Sequence, residues 1–197
     1  MAFPSPSSDS RPARPDRESE GPAKRVFGVV GWSGSGKTTL VTSLVPELVG
    51  RGLKVSTVKH THHDIDVDKP GKDSYRHREA GATEVLVTSP KRWALVHELR
   101  AMPEPDMEDL IARMEAVDLI LVEGFKSHRF PKLEVHRPAT GKPLLAADDP
   151  SIVAVASDVR LPDVRVPVLE LDDVPAIARF IVGFFALRTG GADAGHP

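Results

Sequence analysis

Val26-Phe27-Gly28-Val29-Val30-Gly31-Trp32-Ser33-Gly34-Ser35-Gly36-Lys37-Thr38-Thr39 sets a short apolar run before a glycine-rich turn and the start of a helical segment. Residues 31–38 fit G-x-x-x-x-G-K-[ST] in full, in the strand–loop–helix setting that gives the motif its meaning. The glycines permit a tight turn, so the backbone N–H groups of Gly31, Ser33, Gly34, Ser35 and Gly36 can approach anionic oxygen closely. The helix that follows adds partial positive charge at the same place. Lys37 is expected on the β- and γ-phosphates, the Thr38 hydroxyl on magnesium, and Thr39 near the α-phosphate. The expected ligand is a nucleoside triphosphate with magnesium. The competing reading is a glycine-rich turn that binds nothing.

Strand and helix patterns alternate outward from this stretch. Val26–Val30 suits a strand buried on both faces. Lys37–Val49 reads as a helix with Leu40, Val41, Leu44 and Leu48 on one side; Pro46 is expected to kink or shorten it, and Gly50 and Gly52 to end it. Lys54–Val58 is a second strand, and Asp73–Ala80 a short helix closed by Gly81. Glu84–Thr88 and Arg92–His97 are strands. Asp106 is expected to cap a helix whose Met107, Leu110, Ile111, Met114 and Val117 share one face. Asp118–Val122, Lys132–Val135, Ile152–Ala156 and Val166–Leu169 are further strands. A last helix starts at Asp172 or Asp173 and carries Val174, Ile177, Ile181 and Phe185. Repeated β-α-β units with uninterrupted apolar strands predict an α/β fold: a mainly parallel sheet with helices on both faces. With the phosphate loop this is the P-loop NTPase fold, and the pair at Glu84–Thr88 and Arg92–His97 is an added β-hairpin extension.

Two further stretches carry candidate chemistry. Asp118-Leu-Ile-Leu-Val-Glu123-Gly124 is an apolar strand ending in a carboxylate at its C-terminal end, where open α/β sheets bind ligands. Glu123 is therefore expected to face magnesium; the alternative is a solvated strand end. Gly124 lets backbone approach the phosphates. Lys126 either adds positive charge there or is a solvated lysine. Lys59–Ser74 holds three of the eight histidines and four aspartates. It reads as a switch-like loop over the γ-phosphate, as a polar surface loop, or as a transition-metal site, in that order. His77, His97, His128 and His136 have no ligand spacing and read as surface or packing residues.

Bulk composition narrows the class. The 197 residues suit one domain, and 40% are hydrophobic, enough for a sizeable core. The net charge of -2, from 26 basic and 28 acidic residues, gives no electrostatic reason to expect nucleic acid or anionic lipid as partner. The absence of cysteine excludes disulfides, thiolate catalysis and cysteine-ligated zinc. No apolar run approaches the about 20 residues of a membrane span, and no signal-peptide core stands at the N-terminus, so a cytoplasmic location is expected. Residues 1–23 and 190–197 read as disordered tails flanking one P-loop domain at 24–189.

The phosphate loop followed by V-K-H-T-H-H-D-I-D-V-D-K-P-G-K-D-S-Y-R-H-R-E-A-G-A at Val58–Ala82 resembles the signature of the MobB family of molybdopterin-guanine dinucleotide biosynthesis adapter proteins. The strands D-L-I-L-V-E-G-F-K at Asp118–Lys126 and P-K-L-E-V-H-R at Pro131–Arg137 are similar to it as well. The likeness runs from about Val26 to Phe185, and its most specific part is Val58–Ala82. It implies GTP binding with weak hydrolysis and an accessory role to the guanylyltransferase (MobA-like) that joins GMP to molybdopterin. It also implies a homodimer built through an extended β-sheet; molybdopterin itself is a further candidate partner. Carried over, Gly34, Gly36, Lys37, Thr38 and Thr39 hold phosphates and magnesium. Asp68 and Glu123 flank the metal with Thr38, and Lys59 or His60 approaches the nucleotide. The candidate catalytic residues are then Lys37, Asp68 and Glu123.

Guanine recognition is less direct, since the chain has no N-K-x-D. Asp158, after the Ile152–Ala156 strand, is a candidate acceptor for guanine N1 and N2, or an Asp opening a turn. No obvious cis arginine finger is placed near the phosphate loop, so slow turnover is expected of the isolated protein. Three rivals remain: a small-molecule kinase or synthetase using Asp64, Asp66 or Asp68 as base; a nickel metallochaperone GTPase using His62 and His63; and a scaffold without chemistry, which the intact Lys37 argues against.

Overall fold

The computed structural model describes residues 24–61 and 68–190. The expectations for the tail up to Ala23, for residues 191–197, and for His62, His63, Asp64 and Asp66 lie outside the described residues. The elements in chain order are β1 (Val26–Val30), α1 (Lys37–Gly50), β2 (Val55–Lys59), α2 (Asp73–Glu79), β3 (Glu84–Ser89), β4 (Arg92–His97), α3 (Met107–Ala112), β5 (Leu119–Glu123), β6 (Lys132–His136), β7 (Ile152–Ser157), β8 (Val168–Glu170) and α4 (Val174–Phe184). Six strands form one parallel sheet in the order β2-β5-β1-β6-β7-β8, and β3 and β4 form a separate antiparallel hairpin. The parallel sheet and the added hairpin are as the sequence predicts.

The four central strands, β5, β1, β6 and β7, are buried on both faces, while β2 and β8 at the sheet edges are partly exposed. Phe27, Val29, Leu119, Leu121, Leu133, Val135, Ala154 and Ala156 point to one face, where Leu40, Leu44 and Leu48 of α1 and Ile177, Ala178 and Ile181 of α4 cover them. Full burial of a leucine such as Leu44 or Leu48 contributes about 1.5–3 kcal/mol. Phe184 and Phe185 add edge-on contacts to Phe27 at 6.2 and 6.0 Å between centroids. On the other face Ile120 and Val122 are covered by Met107 and Ile111 of α3. Farther along it, Ile152 and Val155 pack against two segments flanking β7, one carrying Leu144 and Leu145 and the other Leu161, Val164 and Val166.

Two expectations about helices need correction. Pro46 does not stop α1, which continues to Gly50. The helix after Asp106 is shorter than the apolar spacing predicts, ending at Ala112. Its last turn tightens through i→i+3 bonds from Arg113 N to Leu110 O and Met114 N to Ile111 O. The Lys24 ammonium donates to the terminal carbonyls of Ile111 (2.6 Å) and Met114 (2.5 Å), a cation at the negative end of the helix. Met114 and Val117 still pack on the Ile120–Val122 cluster, but as non-helical residues. At the other end of the chain, Asp173 caps α4 by accepting from Ala176 N at 2.9 Å. Gly190 N donates to Arg51 O at 3.0 Å, fixing Gly190 to the end of α1.

Candidate functional site

The phosphate loop joins the C-terminal end of β1 to the first residue of α1. Gly31, Gly34 and Gly36 all have positive φ, at 148°, 81° and 98°. Gly31 is the most constrained: an added Cβ would stand 2.5 Å from the Val135 carbonyl oxygen and 2.7 Å from Ser35 Oγ. Parallel pairing of β1 with β5 on one side and β6 on the other sets both neighbouring strand ends beside the loop. Glu123 arrives from β5, and Arg137 follows β6.

Thr38, Glu123 and Lys59 meet at one point. Thr38 Oγ1 donates to Glu123 Oε1 at 2.5 Å. Lys59 Nζ lies 3.4 Å from that carboxylate oxygen and 3.5 Å from the Thr38 hydroxyl. The Lys59 ammonium thus lies beside a directly bonded hydroxyl and carboxylate, both hard oxygen donors of the kind magnesium selects. Lys37 is folded onto its own loop, donating from Nζ to Trp32 O at 2.9 Å. Burial lowers the Lys37 pKa below the usual ammonium range; Glu123 opposes this shift, and Lys126 and Lys59 add to it. The Lys126 ammonium sits 3.9 Å from the Trp32 ring centroid, a cation–π contact at the loop's edge. Three ammonium groups and the loop amides therefore converge beside one carboxylate, an arrangement suited to a polyanion with a divalent cation.

A cleft of about 720 Å³ opens next to Lys37 and is lined by His60, Glu104, Phe125, Lys126 and His128 among others. The His60 ring lies 4.4 Å from Phe125, and Phe125 contacts His128 edge-on at 4.9 Å. His60 Nε2 is 3.3 Å from Glu104 Oε1. His128 therefore packs here, while His97 pairs with Glu84 at 2.7 Å and His136 is buried.

Residues 26–158 match the family model described as molybdopterin guanine dinucleotide synthesis protein B. The chain belongs to the MobB family. This MobB-family chain is 46% identical over 168 residues to the molybdopterin-guanine dinucleotide biosynthesis adapter protein of Escherichia coli (strain K12), a match covering 84% of this chain and 95% of that relative. It is 42% identical over 159 residues to the protein of the same name from Haemophilus influenzae, covering 79% and 86% of the two chains. The crystal structure of molybdopterin-guanine biosynthesis protein B (mobB) superposes with a TM-score of 0.61 at 28% identity, over 82% of this chain and 99% of that one.

Two further candidates have contacts of their own in this MobB-family fold. The described contacts of Asp68 are with Ser74, whose Oγ donates to it at 2.7 Å, and with Arg78 Nε at 3.4 Å. Asp158 is held by Arg137, whose Nη1 donates to Asp158 Oδ2 at 2.7 Å. Sequence reasoning missed Arg137 as a neighbour of the loop: its Nε donates to Ser35 O at 3.1 Å. It lies on the Gly36 side, away from Lys59 and Glu123, and takes no place at the Thr38–Glu123 point. Among the described residues no three His, Asp or Glu side chains gather as a metal cage, and no helix is long and apolar enough to cross a membrane.

Proposed function

We propose that this chain binds GTP with magnesium on residues 31–38 and serves as an adapter for the guanylyltransferase that joins GMP to molybdopterin. The names of its relatives support the adapter role in molybdopterin guanine dinucleotide biosynthesis. The observation that carries nucleotide binding is the convergence of Thr38, Glu123 and the Lys59 ammonium at the mouth of the phosphate loop. Lys59 places a positive charge beside the two oxygens that would hold magnesium. Magnesium, when bound, would neutralise charge on the β- and γ-phosphates.

The chain's own residues do the rest. Loop amides and Lys37 bind the phosphate oxygens, which requires Lys37 to leave the Trp32 carbonyl and turn to the ligand. Thr38 breaks its bond to Glu123 to offer a lone pair, and Lys59 moves aside with His60 beside it. Asp68, tethered to Ser74 and Arg78, serves as the outer carboxylate when its loop closes. Asp158 reads the base. Hydrolysis by the isolated protein is slow, because the described arginine against the loop lies on the Gly36 side. A turnover near roughly 10 per second without a partner would contradict this. The protein works in the cytoplasm as a homodimer with the guanylyltransferase as partner, and molybdopterin is a further ligand of the complex.

Calorimetric titration with GTP and ATP tests this reading, with and without magnesium and the guanylyltransferase. GTP binding that needs magnesium and exceeds ATP binding is the expected result. No binding of either nucleotide, or equal binding of both, would overturn it.

A further inference from the structure

Two clefts lie on the Gly36 side of the phosphate loop. The smaller, about 240 Å³, is lined by Gly36, Thr39, Arg137, Leu171 and Asp172 among others. The larger, about 710 Å³, lies between the ends of β7 and β8 and is lined by Asp158, Leu161, Pro162, Leu171 and Asp172 among others. Leu171 and Asp172 border both, so the two clefts adjoin. A triphosphate whose γ end lies at Lys37 and Glu123 has its α end at Thr39. Its sugar then leaves over the small cleft, and its base enters the large one.

Arg137 links the two clefts. Its Nε is bonded to Ser35 O and its Nη1 to Asp158 Oδ2, and a Cβ on Gly36 would stand 3.7 Å from its Nε. One planar guanidinium thereby ties the phosphate loop to the carboxylate of the large cleft. A carboxylate has about four acceptor sites. Arg137 uses one, which leaves room for two adjacent donors. Guanine offers such a pair at N1 and N2, whereas adenine turns an acceptor to the same edge.

Resting on the reading that residues 31–38 bind a nucleoside triphosphate, we infer that Arg137 is a positioning residue for guanine recognition. It holds the Asp158 carboxylate at the base cleft in a fixed relation to the phosphate loop. Base selection therefore depends on a residue that does not itself touch the base edge.

The test is calorimetry on the full chain with GTP, ITP, XTP and ATP, each with magnesium. The variants are Asp158→Asn, Arg137→Met and Arg137→Lys, with Lys37→Ala as reference. The parent is expected to prefer GTP, with ITP weaker for want of the N2 donor. Asp158→Asn should weaken GTP roughly ten- to a hundredfold and strengthen XTP, because an amide nitrogen can donate to the xanthine 2-oxygen. Arg137→Met should lower the GTP-to-XTP ratio several-fold, and Arg137→Lys should restore part of it.

An unchanged ratio in Asp158→Asn would overturn the base cleft. A switched ratio in Asp158→Asn with a parental ratio in Arg137→Met would overturn the role of Arg137. Asp158→Asn keeps the shape of the side chain, so its outcome decides the base cleft even if Arg137→Met fails to fold. Failure of the underlying reading looks different: Lys37→Ala then binds every triphosphate as the parent does.

Discussion

At the scale of single residues, Lys37 carries the sharpest consequences. Its ammonium is partly desolvated and satisfied only by a carbonyl of its own loop. Lys37→Ala removes a charge-assisted contact and should weaken triphosphate binding by about 1.5–3 kcal/mol. Because Lys37 is lowered in the free protein, a bound polyanion must raise it again. At pH near and above the free-state value of Lys37, nucleotide binding should therefore take up protons, and affinity should fall as pH rises through that range. Titration in two buffers of different ionisation enthalpy reads that uptake; identical heats in both would count against it. The loop residues were legible in the sequence because the motif is local. Arg137 was not, because its closeness to Ser35 arises only when β6 pairs with β1, a neighbour relation between residues about a hundred positions apart.

At the scale of elements, β6 carries an unusual row of buried polar groups: Lys132, Glu134 and His136. Each is accounted for by what faces it. Glu134 accepts from the N–H groups of Leu145 and Ala146 at 2.9 and 2.8 Å, and His136 Nδ1 lies 3.8 Å from it. The Lys132 ammonium, 1% exposed, donates to Asp149 at 2.8 Å and to Lys126 O at 2.6 Å. Burial works to raise the Asp149 carboxyl, but hydrogen bonds from Lys132 and Ser151 outweigh it and leave the pKa lowered. Asp149→Asn strands a buried ammonium and should cost about 2 kcal/mol of folding stability at neutral pH. Since the folded value is below the unfolded one, this stabilisation is present above about pH 4 and is lost as pH falls through the folded value. The gap between parent and variant in urea unfolding should close on acidification; a gap constant down to pH 2 would refute the pairing. The apolar strands were readable because burial on both faces leaves a continuous signal. The region after Asp106 misled because Met114 and Val117 serve the same core as α3 without being helical.

At the scale of the whole molecule, the sheet order brings the loop, Glu123 and Arg137 to one edge, while the β3–β4 hairpin stands as its own sheet. On that hairpin Leu86 pairs with Leu95 and Thr88 with Trp93, so the exposed Leu86, Trp93 and Leu95 share a face. An apolar face of this kind is what a homodimer joined through β-structure would cover. Trp93→Glu should shift the protein toward monomer in sedimentation velocity while leaving its thermal unfolding nearly unchanged, and an unaltered association state would place the dimer contact elsewhere. Where the hairpin sits could not be read from sequence, since alternation fixes the faces of a strand but not the partner it meets.

The crystal structure of the full chain grown with magnesium and a non-hydrolysable GTP analogue tests the central claim most directly. The account predicts a triphosphate along residues 31–38 and a metal between Thr38 and Glu123. It also predicts Lys59 displaced from that point, Lys37 turned from Trp32 to the phosphates, and the base beside Asp158. A loop left empty at saturating nucleotide, with Lys59 still beside Thr38 and Glu123, would contradict it.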